Sequence, residues 1–255
     1  MSPLNNSSRD VLLCYVTDRR SLSAFESAEQ RELLSFESTE RREILLRKIE
    51  AAASAGVDWI QIREKDLSGK DCAALTREAL QRAAISSPGA VAEAAASAKF
   101  PSNLTMPTRI FVNDRLDVAI SESAGGVHLG EKSLPVAEAK RLADSQAISG
   151  DFLIGVSCHS LQEAKSAAAC GANYLFFGPV FTTPSKTAFG EPQGLRRLAE
   201  LCGAVSIPVL AIGGVTLENS SACFAAGASG IAAIRLFQDA RDMPSLVQAL
   251  RKINR

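Results

Sequence analysis

Eight short apolar runs, each followed by a stretch with helical spacing, recur from one end of this 255-residue chain to the other. The runs are Val11 to Thr17, Trp59 to Arg63, Arg109 to Asn113, Gly126 to Leu129, Phe152 to Ser157, Tyr174 to Phe177, Pro208 to Ile212 and Gly230 to Arg235. Most are continuously apolar rather than alternating, which is how strands read when both faces of a parallel sheet are covered. Between them, Leu45, Leu46, Ile49, Ala52 and Ala53 share one helical face, as do Cys72, Leu75, Ala79 and Ala83. Ser160 to Glu163 has capping-box spacing, Gly171 closes that helix, Pro135 suits a first helical turn, and Asp242 opens the last helix. A glycine between helix end and strand recurs at Gly56, Gly125, Gly171 and Gly227. Such units predict one (β/α)8 TIM barrel of parallel strands as a single domain over residues 1–255, with an open doubly wound sheet as the alternative. Residues 1–10 read as a flexible tail, residues 19 to 41 as an extra helical insert after strand one, and residues 86 to 107 as a long loop before strand three.

Composition narrows the partners. With 28 basic against 28 acidic residues, no global field draws the chain toward nucleic acid or a membrane surface, so any anion site must be local. No apolar run approaches the ~20 residues of a membrane span, and MSPLNNSSRD lacks a signal-peptide pattern. Six cysteines without a C-x-x-C pair read as reduced, buried thiols, which predicts a soluble cytoplasmic protein. Small-molecule substrates are expected, with neither nucleic acid nor membrane as partner; a homo-oligomer stays open. Two histidines and no Cys/His cluster argue against zinc.

In such a barrel the active site lies at the carboxyl ends of the strands, and the unusual polar residues collect there. Gln61, Arg63, Glu64 and Lys65 follow strand two, Asn113 and Asp114 strand three, and Ser157 to His159 strand five. Arg63 and Lys65 alternate along an extended segment and share a side, which suits a diphosphate; a solvated basic turn neutralised by Glu64 and Asp66 is the plain alternative. Gly213-Gly214, with Arg235 on strand eight, suits a phosphate, although a glycine pair also simply makes a tight turn. Asp114 is either an oxygen ligand for Mg2+ or a partner of Arg115. Ser157 and His159 share a strand face that excludes Cys158, and His159 is a base or a packing residue at the helix start. His128, among Gly126, Val127 and Leu129, reads as packing on the barrel.

The phrases YVTD, QIREKD, VNDRLDVA, GGVHLGE, GVSCHS, FGPVFTTPSK and AIGGV stand in this order at the strand ends, spread over residues 15 to 215. As an ordered set they resemble the thiamine phosphate synthase family and its relatives, the thiazole tautomerases. The resemblance implies transfer of a hydroxymethylpyrimidine from its diphosphate to a thiazole phosphate, with Mg2+. It implies that Gln61, Arg63, Glu64, Lys65 and Asn113 hold the pyrimidine diphosphate, that Ser157 and Lys186 contact the diphosphate, and that Asp114 holds Mg2+. Thr183, Ser185, Gly213, Gly214, Ile234 and Arg235 would take the thiazole phosphate, and Arg63, Lys65, Ser157 and Lys186 would carry the catalysis. Two positions depart from the family pattern. Ser133 stands where a second Mg2+ carboxylate is expected, with Glu131 as a substitute, and Arg235 stands where a small serine is usual. A thiazole tautomerase using His159 and a non-catalytic thiazole-phosphate-binding barrel are the competing expectations.

Overall fold

The computed structural model describes residues 11–25, 34–87, 107–146, 151–183 and 191–253. Eight parallel strands close on themselves in sequence order, so the open-sheet alternative is excluded. They are β1 (Leu12–Val16), β2 (Trp59–Ile62), β3 (Arg109–Asn113), β4 (Gly126–Leu129), β5 (Leu153–Cys158), β6 (Tyr174–Phe177), β7 (Val209–Ile212) and β8 (Gly230–Ala233). The helices of the outer ring are α1 (Leu34–Ser54), α2 (Gly69–Ser86), α3 (Leu116–Ser121), α4 (Val136–Ser145), α5 (Leu161–Ala169), α6 (Gly194–Ala204), α7 (Leu217–Ala225), the short α8 (Arg235–Gln238) and α9 (Met243–Ile253).

Strand alternation divides the core in two. Leu13, Tyr15, Ile60, Ile62, Leu175, Phe177 and Ile231 point outward into the layer shared with Leu45, Leu46, Ile49 and Leu75 of the helices. Cys14, Val16, Trp59, Phe111, Tyr174, Phe176, Leu210 and Ala232 point inward and fill the barrel. Trp59 packs on Phe111 and Tyr174 with ring centroids 5.1 and 4.7 Å away, so the lower part of the barrel is solid. Inward polar residues can therefore meet only at the upper, carboxyl-terminal end. At the other end, the Arg251 guanidinium of α9 donates to Asp58 at 2.8 Å and to the Gly56 carbonyl, while Asp58 accepts from the Leu13 amide; this ties the last helix to the first strand.

The insert after β1 is helical on both sides of residues 26–33, which lie outside the described residues. Arg19–Phe25 is a 3-10 segment, and α1 already begins at Leu34 and runs unbroken into the face that carries Leu45. Residues 34 to 41 thus extend the first barrel helix rather than forming a separate one. The tail at 1–10 and residues 88–106 of the long loop lie outside the described residues. The Ser160 cap is present, with its hydroxyl accepting from the Glu163 amide, but the Glu163 carboxylate reaches back to the His159 amide rather than to Ser160. All six cysteines are free, with Cys170 exposed rather than buried.

Candidate active site

The β2 end sets the first side chains. Inward alternation from Trp59 brings Gln61 to the mouth, and the same step carries Arg63 to the rim; the intervening Ile62 faces the helices. Gln61 is 2 % exposed; its Nε2 donates to Asn113 Oδ1 at 2.7 Å, and its buried Oε1 has no partner among the described residues. Asn113 passes the contact on, donating from Nδ2 to Asp114 Oδ2 at 2.6 Å. Asp114 holds a φ of +61°, a backbone setting that L residues rarely adopt outside functional or tightly determined sites. That twist turns its carboxylate across to β4, where Oδ1 accepts from the Gly130 amide at 3.2 Å and from the Ser133 hydroxyl. Ser133 therefore sits directly on Asp114, whereas Glu131 is exposed. Arg115 pairs with Asp117 at 2.6 Å, not with Asp114.

Glu64 behaves differently from its neighbours. One step out of phase with Arg63, it turns away from the barrel axis toward Thr17, whose hydroxyl donates to it at 2.7 Å. The Arg19 amide and guanidinium occupy the remaining lone pairs at 3.0 to 3.1 Å, and the side chain is 1 % exposed. Burial raises its carboxyl above the ordinary value, while Thr17 and Arg19 pull the other way. In this structure the Glu64 oxygens are engaged along the β1–β2 rim by Thr17 and Arg19. Arg19 also grips Asp66 at 2.7 Å, so the two acids that were to neutralise Arg63 and Lys65 are both engaged by Arg19. Arg63 is half-buried and Lys65 exposed, and both line a cavity of 360 Å3 with Asp18, Arg20 and Ser21.

Across the mouth, His128 and Ser157 point inward from β4 and β5. The His128 ring is 2 % exposed, stacks 4.1 Å from Phe176, and bonds through Nε2 to Ser157 Oγ at 2.9 Å and through Nδ1 to Tyr174 OH at 3.2 Å. Burial depresses its pKa to about 3; Asp114 pulls it up and Arg63 pushes it down, so both charges lie within electrostatic range of the ring. From the sequence His128 reads as packing on the barrel. Packing is present, but the hydrogen bond to Ser157 was missed, because the Tyr174 and Ser157 contacts join strands far apart in the chain. His159 is held by its Nδ1 on the Gly178 carbonyl, ahead of the cis Gly178–Pro179 bond.

Gly213 and Gly214 follow β7 with φ of +94° and +65°. A Cβ on Gly213 would lie 2.6 Å from Pro179, and one on Gly214 2.5 Å from the Thr182 carbonyl, so only glycine lets the β6 loop approach. The Phe181 amide then bonds Gly213 O at 3.0 Å, and Thr183 follows two residues on in the chain. Ile234 packs against the barrel interior, as its even phase with Ala232 requires. Arg235 does not stand on β8 as expected: the strand ends at Ala233, and Arg235 opens α8, exposed in an outer groove with Asp239, Asp242 and Leu246. Ser185 and Lys186 lie outside the described residues.

The rim so built carries Arg63 and Lys65, the Asp114 carboxylate with the Ser133 hydroxyl on it, and the Gln61–Asn113 hydrogen bond, over a solid apolar floor. Residues 35–237 match the family model described as thiamine monophosphate synthase. A putative thiamine-phosphate synthase of Geobacter sulfurreducens is 40 % identical over 190 residues, covering 74 % of this chain and 78 % of that protein. A thiamine-phosphate synthase of Methanoculleus marisnigri is 40 % identical over 200 residues, covering 78 % and 83 %. Among solved structures, a thiamine phosphate pyrophosphorylase from Pyrococcus furiosus superposes with a TM-score of 0.68 at 28 % identity, covering 97 % of this chain and 96 % of that one. The chain belongs to the thiamine monophosphate synthase family.

Proposed function

We propose that this chain is a transferase, a thiamine-phosphate synthase that joins 4-amino-2-methyl-5-(diphosphooxymethyl)pyrimidine to a thiazole phosphate, giving thiamine phosphate and pyrophosphate. The observation that carries it is the continuous polar chain Gln61–Asn113–Asp114–Ser133 meeting Arg63 and the His128–Ser157 pair at one mouth. The pyrimidine methylene to oxygen bond breaks with its electron pair leaving on pyrophosphate, and the thiazole nitrogen supplies the pair for the new carbon–nitrogen bond. Two demands follow: the departing charge must be met, and two rings must be held in line. Arg63, Lys65 and Ser157 answer the first, with Lys186 joining them by its place in the family phrase. The buried, unpartnered Gln61 Oε1 is matched to an amino group on the pyrimidine, with Asn113 beside it. The Gly213-Gly214 turn is assigned to the thiazole phosphate, with Ile234 nearby and Thr183 and Ser185 joining by their place in the family phrase.

Mg2+ fits this rim as a single-carboxylate site. No group of three His, Cys, Asp or Glu side chains gathers among the described residues, but Mg2+ commonly takes one or two carboxylates and fills its shell with phosphate oxygens and water. Asp114 would hold it, with the Ser133 hydroxyl alongside as a neutral oxygen. When bound, the ion supplies positive charge to the leaving diphosphate.

The test is pyrophosphate release by purified protein given both substrates, with and without Mg2+. Turnover that needs both substrates and the metal supports the reading; no thiamine phosphate under metal-replete conditions ends it. The tautomerase alternative rests on His159 as a proton carrier, and its Nδ1 anchor on Gly178 does orient the ring. His159→Asn separates the two: a tautomerase loses its activity, whereas a synthase keeps most of it.

A further inference from the structure

We propose that His128 is a positioning residue that fixes the polarity of the Ser157 hydroxyl, donating to Ser157 from below so that the serine proton is aimed into the mouth. The significance for turnover rests on the synthase reading; the hydrogen-bond polarity does not.

The direction of the chain follows from its buried end. Tyr174 is 1 % exposed, boxed in by Trp59, Phe111, His128 and Phe176, and His128 Nδ1 is the acceptor within reach of its hydroxyl among the described residues. A buried phenol that fails to donate forfeits the desolvation cost of its proton, so Tyr174 donates and Nδ1 accepts. A neutral imidazole has one bare and one protonated nitrogen. With Nδ1 bare, the proton sits on Nε2, 2.9 Å from Ser157 Oγ, and the serine oxygen accepts it. The ring is kept neutral by burial, with Asp114 and Arg63 acting on it in opposite directions.

Ser157, half-buried at the strand end, then has its own O–H free to donate upward. In the opposite tautomer Ser157 would donate downward and present lone pairs to an arriving diphosphate, which repels it. Gly155 makes the arrangement possible. It is the register partner of both His128 and Tyr174, and a Cβ there would lie 2.0 Å from the Tyr174 ring. Phe176, stacked at 4.1 Å, holds the imidazole plane. The Tyr174–His128–Ser157 line thus converts a buried phenol into a donor at the rim for an anion.

Two measurements test it. The chain has two histidines, so 15N–1H correlation of histidine-labelled protein at about pH 8 reads each ring, with His159→Asn assigning them. His128 should show a bare Nδ1 and a protonated Nε2, the reverse of His159, whose Nδ1 donates to a carbonyl. A protonated Nδ1 on His128 overturns the proposal whether or not the protein turns over. In Tyr174→Phe the His128 preference should weaken or invert; an unchanged tautomer overturns the Tyr174 step. Kinetically, His128→Phe should lower kcat roughly tenfold to a hundredfold with little change in thiazole phosphate KM, and His128→Gln, which can still donate, should recover most of it. In a Ser157→Ala background His128→Phe should cost nothing further; fully multiplicative losses refute action through Ser157. Failure of wild-type turnover with the expected tautomer intact would count against the synthase reading and leave the polarity standing.

Discussion

Gly155→Ala adds one methyl group at the point where three strands exchange side chains. Its Cβ would sit 2.0 Å from Tyr174 Cζ and 2.5 Å from the hydroxyl oxygen, well inside contact distance. The ring has nowhere to swing, since Trp59, Phe111 and Phe176 stand at centroid distances of 4.7, 5.6 and 5.5 Å. Overpacking of a full core costs about 1–3 kcal/mol. Displacing Tyr174 also parts its hydroxyl from His128 Nδ1 and leaves buried polar atoms unmatched, adding about 1–3 kcal/mol. The expected loss is about 3 kcal/mol, or a melting temperature lower by roughly 10 °C for a domain of this size. Gly203→Ala is the control: this exposed helical glycine in α6 has no atom within 4 Å of an added Cβ, and alanine there should stabilise by about 0.5–1 kcal/mol. Urea titration of the three proteins, with midpoints compared at a common m-value, measures both effects. A Gly155→Ala midpoint within about 0.5 kcal/mol of wild type would refute the packing argument.

Two further outcomes follow. Lys65→Ala should lower kcat by roughly a hundredfold or more with the fold intact, because an exposed rim cation is removed from the departing diphosphate; unchanged turnover refutes its role. His128 titrates near 6.5 when unfolded but near 3 when folded, so the unfolded chain binds the proton first and stability falls as pH drops below about 6.5. Between pH 6.5 and 4.5 that is about 2–3 kcal/mol, and His128→Gln should lose correspondingly less over the same range; parallel urea curves for the two proteins would contradict it.

The barrel was legible in the chain because its determinants are local and repeated: continuous apolar strands, helices with one apolar face, and a glycine before every second strand. Alternation along β5 likewise sets Ser157 toward the barrel interior and Cys158 toward the helices. The same rule, applied from Ala232, turns Arg235 outward: β8 ends at Ala233, two residues short of the apolar run's end, and α8 begins at Arg235. What no local pattern carried were contacts between residues far apart in sequence. Glu64 reads as a rim acid until Arg19 and Thr17, 45 and 47 positions away, are seen to consume its oxygens. Ser133 reads as a missing carboxylate until the left-handed turn at Asp114 brings the two into contact. His128 reads as core until Tyr174, 46 residues on, gives its ring a direction. Strand periodicity decides which way a side chain faces; only closure of the barrel decides what it meets there, because neighbours across the mouth are set by the ring of eight strands.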